Sequence, residues 1–140
     1  MKILLLADGS EYTKRMLAYV AAHDEWLGKQ HQYTVLHVVP LVPPRASSML
    51  AREVVQSYYR DEAEKVFKPV RSFFKKHALQ VEFVAKTGSV ADVAAKMADS
   101  SGFDLLIMGS HGHGNLGNLI LGSVATRVLA RSKIPVLLVR

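Results

Sequence analysis

The sequence predicts an α/β domain built on one open, five-stranded parallel sheet flanked by helices. Three observations carry this reading. Five short apolar runs, at 2–7, 33–39, 81–85, 104–108 and 135–139, alternate with longer segments of helical spacing. The run Ile3-Leu4-Leu5-Leu6 is apolar at every position, as a strand covered on both faces requires. Strands that alternate with helices join through right-handed crossovers into a parallel sheet. A chain of 140 residues suits one domain with one core, spanning 1–140, and 49% hydrophobic residues are enough to build that core.

The elements follow in order. Lys2–Ala7 is the first strand. Its apolar part is too short for a signal peptide, and Asp8 closes it. Ser10 can cap a helix over about 11–28, which ends near Gly28. Tyr33–Val39 is the second strand, rich in β-branched residues. Pro40, Pro43 and Pro44 forbid regular structure and make a loop. A long helical segment runs from about Ser48 to His77, with a kink or break expected near Lys68 because Pro69 follows it. Val81–Ala85 is the third strand, and Gly88-Ser89 forms a turn and cap. Val90, Val93, Ala94, Met97 and Ala98 then fall at offsets 0, 3, 4, 7 and 8, a helix stripe. Asp104–Met108 is the fourth strand. Leu121, Val124, Ala125 and Val128 give the last helix its buried face, and Pro135–Val139 is the fifth strand.

Composition narrows the function classes. There is no cysteine, which excludes disulfides, thiol catalysis and cysteine-ligated zinc and makes a reducing cytoplasm the natural compartment. No apolar run reaches the roughly 20 residues that span a membrane. The net charge of +6, from 18 Lys+Arg against 12 Asp+Glu, favours anionic ligands without naming one. The densest basic segment holds Lys68, Arg71, Lys75 and Lys76. Its apolar residues Val66, Val70, Phe73 and Phe74 share one helical face, so a solvated basic face over a buried stripe is the expected reading, with no nucleic-acid or membrane partner. The six histidines show no metal-site spacing.

The segment Gly109-Ser-His-Gly-His-Gly-Asn-Leu-Gly-Asn-Leu-Ile-Leu-Gly-Ser123 carries the chemistry. A strand leads into it and a helix leads out. Glycines let backbone N–H groups approach an anion, and a helix start adds unpaired donors and the positive end of its dipole. Ser123 can cap that helix or offer its hydroxyl to a phosphate. In doubly wound sheets, ligands bind beyond the carboxyl ends of the strands where strand order reverses. If strands one and four are neighbours, as in flavodoxin-like winding, Asp8-Gly9-Ser10 and the loop from Gly109 face one crevice.

Gly-x-x-Gly, nine residues, then Gly-Ser is a spacing that resembles the nucleotide-binding signature of the universal stress protein family, in its ATP-binding branch. The likeness covers nearly the whole chain. Ile3 to Ser10 resembles the family's first strand and acidic turn, and Leu36-His37-Val38-Val39 its second strand. Gly88 to Ala94 resembles the turn and helix before the fourth strand, and Ile134 to Val139 the closing strand. The resemblance implies a fold of the adenine-nucleotide α-hydrolase-like type and a homodimer. It places the residue matching Asp8 near adenosine and that matching Val39 by the base. Those matching Gly109, Gly112, Gly122 and Ser123 surround ribose and phosphates. The family often has arginine or lysine where His113 stands. A neutral imidazole binds phosphate less well, which implies weaker or pH-dependent affinity.

The candidate site therefore comprises Ala7, Asp8, Gly9 and Ser10, Val38 and Val39, and Met108, Gly109, His111, Gly112, His113, Gly114, Asn115, Gly122, Ser123 and Val124. The expected cofactor is ATP or another adenine nucleotide, with Mg2+ riding on the phosphates and few protein ligands. The expected function is stress-response regulation through nucleotide-dependent conformation, dimerisation or binding of a protein partner. Two alternatives stand beside it. One is a slow ATPase or a nucleotidyl or phosphoryl transferase, against which there is no Walker-type Gly-Lys-Ser/Thr and no second acidic cluster. The other is an interaction module with an unused site. Ile134–Val139, short and apolar, is the expected dimer edge.

Overall fold

The computed structural model describes residues 1–114 and 118–140. Five strands, β1 (Lys2–Leu6), β2 (Gln32–Val39), β3 (Val81–Thr87), β4 (Leu105–Gly109) and β5 (Val136–Val139), form one sheet in the order β3-β2-β1-β4-β5. Every neighbouring pair is parallel, with Leu5 opposite Val35 on one side and Ile107 on the other. The chain winds from β1 outward through β2 and β3, then returns to β4 beside β1. The switch point lies between β1 and β4, the adjacency on which the shared crevice depends.

Residue alternation along β1 divides the core. Ile3 and Leu5 pack with Met16, Leu17 and Val20 of helix α1 (Glu11–Ala22) and Val66, Val70 and Phe74 of α4 (Arg52–Lys76). Leu4 and Leu6 face the other way, onto Ala94 and Ala98 of α5 (Val90–Ser100) and Ala125 and Val128 of α6 (Ser123–Arg131). Ile3, Leu4 and Leu5 have no exposed surface, as a strand covered on both faces requires.

Five local expectations are corrected. The helix expected over 11–28 divides at His23 into α1 and a single turn, α2 (Asp24–Leu27). His23 leaves helical geometry, and its Nδ1 donates to the Tyr19 carbonyl at 2.8 Å while its ring stacks on Tyr19. The proline loop contains a short turn, α3 (Pro44–Ser47), because proline is preorganised for a first helical position. The long helix begins at Arg52, not Ser48, and it passes through Pro69 without a break. Pro69 is exposed between the buried Val66, Phe67 and Val70, so the carbonyl that loses its donor faces water while the core holds both halves in line. Finally, β3 extends to Thr87, two residues past the expected end, because it pairs in register with β2 as far as Val39.

Candidate functional site

Beyond the carboxyl ends of β1 and β4, two loops face each other. After β1 the chain turns at Gly9, whose φ of +77° is a conformation that side chains other than glycine rarely adopt. Asp8 builds this turn. Its Oδ1 accepts the Ser10 N–H at 2.9 Å and the Thr13 hydroxyl at 3.0 Å. The Thr13 Oγ1 in turn accepts the N–H groups of Asp8 and Gly9 at 3.0 and 3.2 Å. Asp8 is thus fixed by α1, with Oδ2 turned toward the second loop.

The second loop leaves β4 at Gly109. A Cβ placed there would meet the Cβ of Tyr12 at 2.5 Å, so only glycine lets β4 run this close to α1. At Gly112 a Cβ would meet Asp8 Oδ2 at 2.7 Å, and at Gly122 it would meet His111 Cα and Ser110 O, both at 3.1 Å. These glycines are needed first to bring the two loops and the start of α6 together. Backbone approach to a ligand is a consequence of that closeness. Replacing Gly122 therefore disturbs the loop backbone itself as well as any ligand beside it.

Two histidines fasten the loop. His113 Nε2 donates to the Asp8 carbonyl at 2.6 Å, and His111 Nε2 donates to the Leu119 carbonyl at 2.8 Å. A ring nitrogen that faces a carbonyl must carry the proton, which leaves His111 Nδ1 to accept from the Ser110 hydroxyl at 2.9 Å. The Gly122 N–H closes the loop onto the Ser110 carbonyl at 2.7 Å. Gly122, not Ser123, occupies the cap position of α6. Ser123 is the first helical residue and is exposed, so its hydroxyl has no capping role. The first-turn N–H groups of α6 have no partner within the helix and open toward the loop.

These elements enclose a cavity of about 590 Å³. Ala7, Asp8, Gly9, Val38, Val39, Met108, Gly109, His111, Gly112, His113, Gly114, Gly122, Ser123 and Val124 all line it. Ser10 does not: its side chain is buried beneath the turn, and its Oγ has no hydrogen-bond partner among the described residues. Asn115 lies outside the described residues.

Sequence reasoning missed the wall supplied by α4. Tyr58, Glu62, Lys65 and Val66 also line the cavity. Lys65 Nζ lies 2.8 Å from Glu62 Oε1, and this carboxylate holds the lysine protonated above its ordinary range. The signal was the Glu62–Lys65 spacing on one helical face, but only the position of α4 over the strand ends turns it into part of a site. His37 was missed too. Its Nδ1 donates to the Ala7 carbonyl at 2.8 Å, which ties the ends of β1 and β2 together at the cavity floor. Among the described residues no group of three His, Cys, Asp or Glu side chains is arranged to hold a metal ion. No described helix is long and apolar enough to cross a membrane.

Fold and crevice together define a doubly wound α/β domain whose cavity lies at the topological switch point, the place where such sheets hold small ligands. The universal stress protein family model matches residues 1–140, and the chain belongs to that family. It is similar to a universal stress protein of Thermus aquaticus, at 31% identity over 141 residues, covering 99% of this chain and 97% of that protein. It is also similar to universal stress protein MJ0577 of Methanocaldococcus jannaschii, at 32% identity over 80 residues, 57% of this chain and 49% of that protein. The solved structure of MJ0577 superposes with a TM-score of 0.78 at 29% identity, covering 99% of this chain and 94% of that one. The fold also matches an Archaeoglobus fulgidus universal stress protein solved in complex with dAMP, with a TM-score of 0.70 at 20% identity over 100% of this chain and 98% of that one. Other solved proteins of this fold carry AMP or cAMP.

Proposed function

We propose that the chain binds an adenine nucleotide in the β1–β4 crevice, as a regulatory protein whose conformation, self-association or partner binding follows the nucleotide. The observation that carries this reading is the cradle at the switch point. The Asp8 turn and the glycine loop meet so closely that a Cβ at Gly112 has no room, and the exposed Ser123 opens the first turn of α6 beside them. Such a cradle offers backbone donors and a helix dipole to phosphates. Val38, Val39 and Met108 offer apolar walls to a base. Lys65 and His113 are the nearby side chains suited to anionic oxygens. Family members of the same fold that hold AMP, cAMP or dAMP support the adenine class. ATP is our reading for this chain, with Mg2+ carried by the phosphates and water, and a crevice of about 590 Å³ has room for a triphosphate as well as a monophosphate.

Asp8 is used in building the turn, with Oδ1 engaged twice, which suits a positioning role better than that of a general base. We therefore assign regulation ahead of hydrolysis. Self-association would use β5, which lies at the edge of the sheet with Val136, Leu137 and Leu138 only half-buried.

The test is direct. Small molecules released by denaturing freshly purified protein are identified by mass spectrometry, and AMP, ADP and ATP are titrated by calorimetry. An adenine nucleotide near one per chain, or saturable binding with negligible turnover, is expected. Protein that emerges empty and ignores all three overturns the reading. Sedimentation at micromolar concentration tests the β5 dimer, and a monomer there rejects it.

A further inference from the structure

A second cavity, of about 490 Å³, lies between α4 and the carboxyl end of β3. Val39 lines both cavities, so the second adjoins the base-side wall of the first. Its lining is different in kind. Gln56, Tyr59 and Arg60 face it from α4, one helical turn apart, and Lys86 and Thr87 face it from β3. Among the described residues no carboxylate lines it.

Two cations of separate elements, both exposed, therefore flank one open depression, and neither forms a salt bridge among the described residues. Arg60 makes one long hydrogen bond, from Nη2 to Ser57 Oγ at 3.3 Å. On the same helix Lys65 pairs with Glu62 and Arg71 with Glu64, while Arg52, Lys68, Lys75 and Lys76, like Arg60, form no salt bridge among the described residues. The Tyr59 hydroxyl accepts the Val42 N–H at 3.0 Å, and its own proton has no acceptor among the described residues. The space thus gathers a guanidinium, an ammonium, two hydroxyls and an amide with no anion to answer them. A planar guanidinium fork takes two phosphate oxygens at once, and an ammonium serves as a point charge beside it.

From this arrangement we infer that the α4–β3 cavity is a second ligand site, which binds a compact phosphate-type anion with two or more charged oxygens. It is separate from the glycine-loop crevice and does not rest on the nucleotide reading. Its position across Val39 places it where its occupant and the contents of the crevice share a wall.

Residue-resolved NMR of the 15N-labelled protein, saturated with AMP and titrated with inorganic pyrophosphate, tests the site. Saturable shifts of the Gln56, Arg60, Lys86 and Thr87 amides are expected. The double variant Arg60→Gln/Lys86→Gln should weaken pyrophosphate binding about tenfold or more while AMP binding persists. Lys75→Gln/Lys76→Gln removes equal charge from the far end of α4 and should leave pyrophosphate binding unchanged. Shifts confined to 109–123, or an equal loss in both double variants, would overturn the assignment, the latter by showing mere surface charge. If AMP itself fails to bind, the nucleotide reading falls, and the amides of the α4–β3 cavity still report on this one.

Discussion

Gly112→Ala tests whether one contact, Gly112 against Asp8, serves both the fold and the crevice. The added methyl would lie 2.7 Å from Asp8 Oδ2, about 0.7 Å inside the 3.4 Å of an ordinary contact. Asp8 cannot simply swing away, because its Oδ1 is held by Ser10 N at 2.9 Å and Thr13 Oγ1 at 3.0 Å. Rotating the carboxylate breaks one or both bonds. Moving the loop instead draws His113 Nε2 from the Asp8 carbonyl, now at 2.6 Å. Either route loses about one hydrogen bond to a charged or tightly held group, worth about 1.5–3 kcal/mol. We expect a stability loss of about 1–2 kcal/mol, and a fall in AMP affinity of about tenfold to thirtyfold, at 1.4 kcal/mol per factor of ten. Urea unfolding and calorimetry on the same preparations measure both. A variant with unchanged stability and AMP affinity within about twofold of the parent would refute the claim that Asp8 and Gly112 are packed against each other, whatever the ligand.

Gly102→Ala is the matched control: its φ of +70° strains an alanine although no atom lies within 4 Å, so stability should fall by about 1 kcal/mol with AMP affinity unchanged. A shift in affinity would mean that the strain reaches the crevice. His113→Lys places an ammonium at the phosphate end but gives up the bond to the Asp8 carbonyl, so the ratio of ADP to adenosine affinity should rise about threefold to tenfold at low salt. Equal effects on both ligands would displace His113 from that end. Tyr33, with 2% of its surface exposed, donates to the carbonyls of Leu27 and Gly28, so Tyr33→Phe should cost about 1–2 kcal/mol in urea unfolding near neutral pH. Burial also pushes the Tyr33 hydroxyl up to about 12. An unfolded tyrosine ionises near 10. The raised value means that the stabilisation is complete below about pH 10 and is lost as pH climbs through about 12, a fall of about 2–3 kcal/mol that Tyr33→Phe lacks. Parallel alkaline profiles for the two proteins would contradict this.

The local chemistry of the chain was enough to determine its class and the parts of its crevice. Apolar runs covered on both faces, the helix stripe from Val90 to Ala98 and the stripe from Val66 to Phe74 are periodic patterns, and periodicity is readable one segment at a time. The glycine loop between β4 and α6 is likewise local, so its position next to a helix start followed from order alone. What tertiary structure decided is what depends on distant partners. Pro69 lowers helix propensity wherever it stands, yet the buried Val66 and Val70 on either side keep α4 unbroken. The Gly109, Gly112 and Gly122 requirements come from Tyr12, Asp8 and His111, which no sequence spacing brings together. Ser10 stood in the right turn, but its side chain points into the interior and not the cavity. Lys65 showed only a helical pairing with Glu62, and His37 carried no signal of its own. They became part of the site because α4 crosses over the strand ends and β2 lies against β1, and packing energy from the whole core sets both placements.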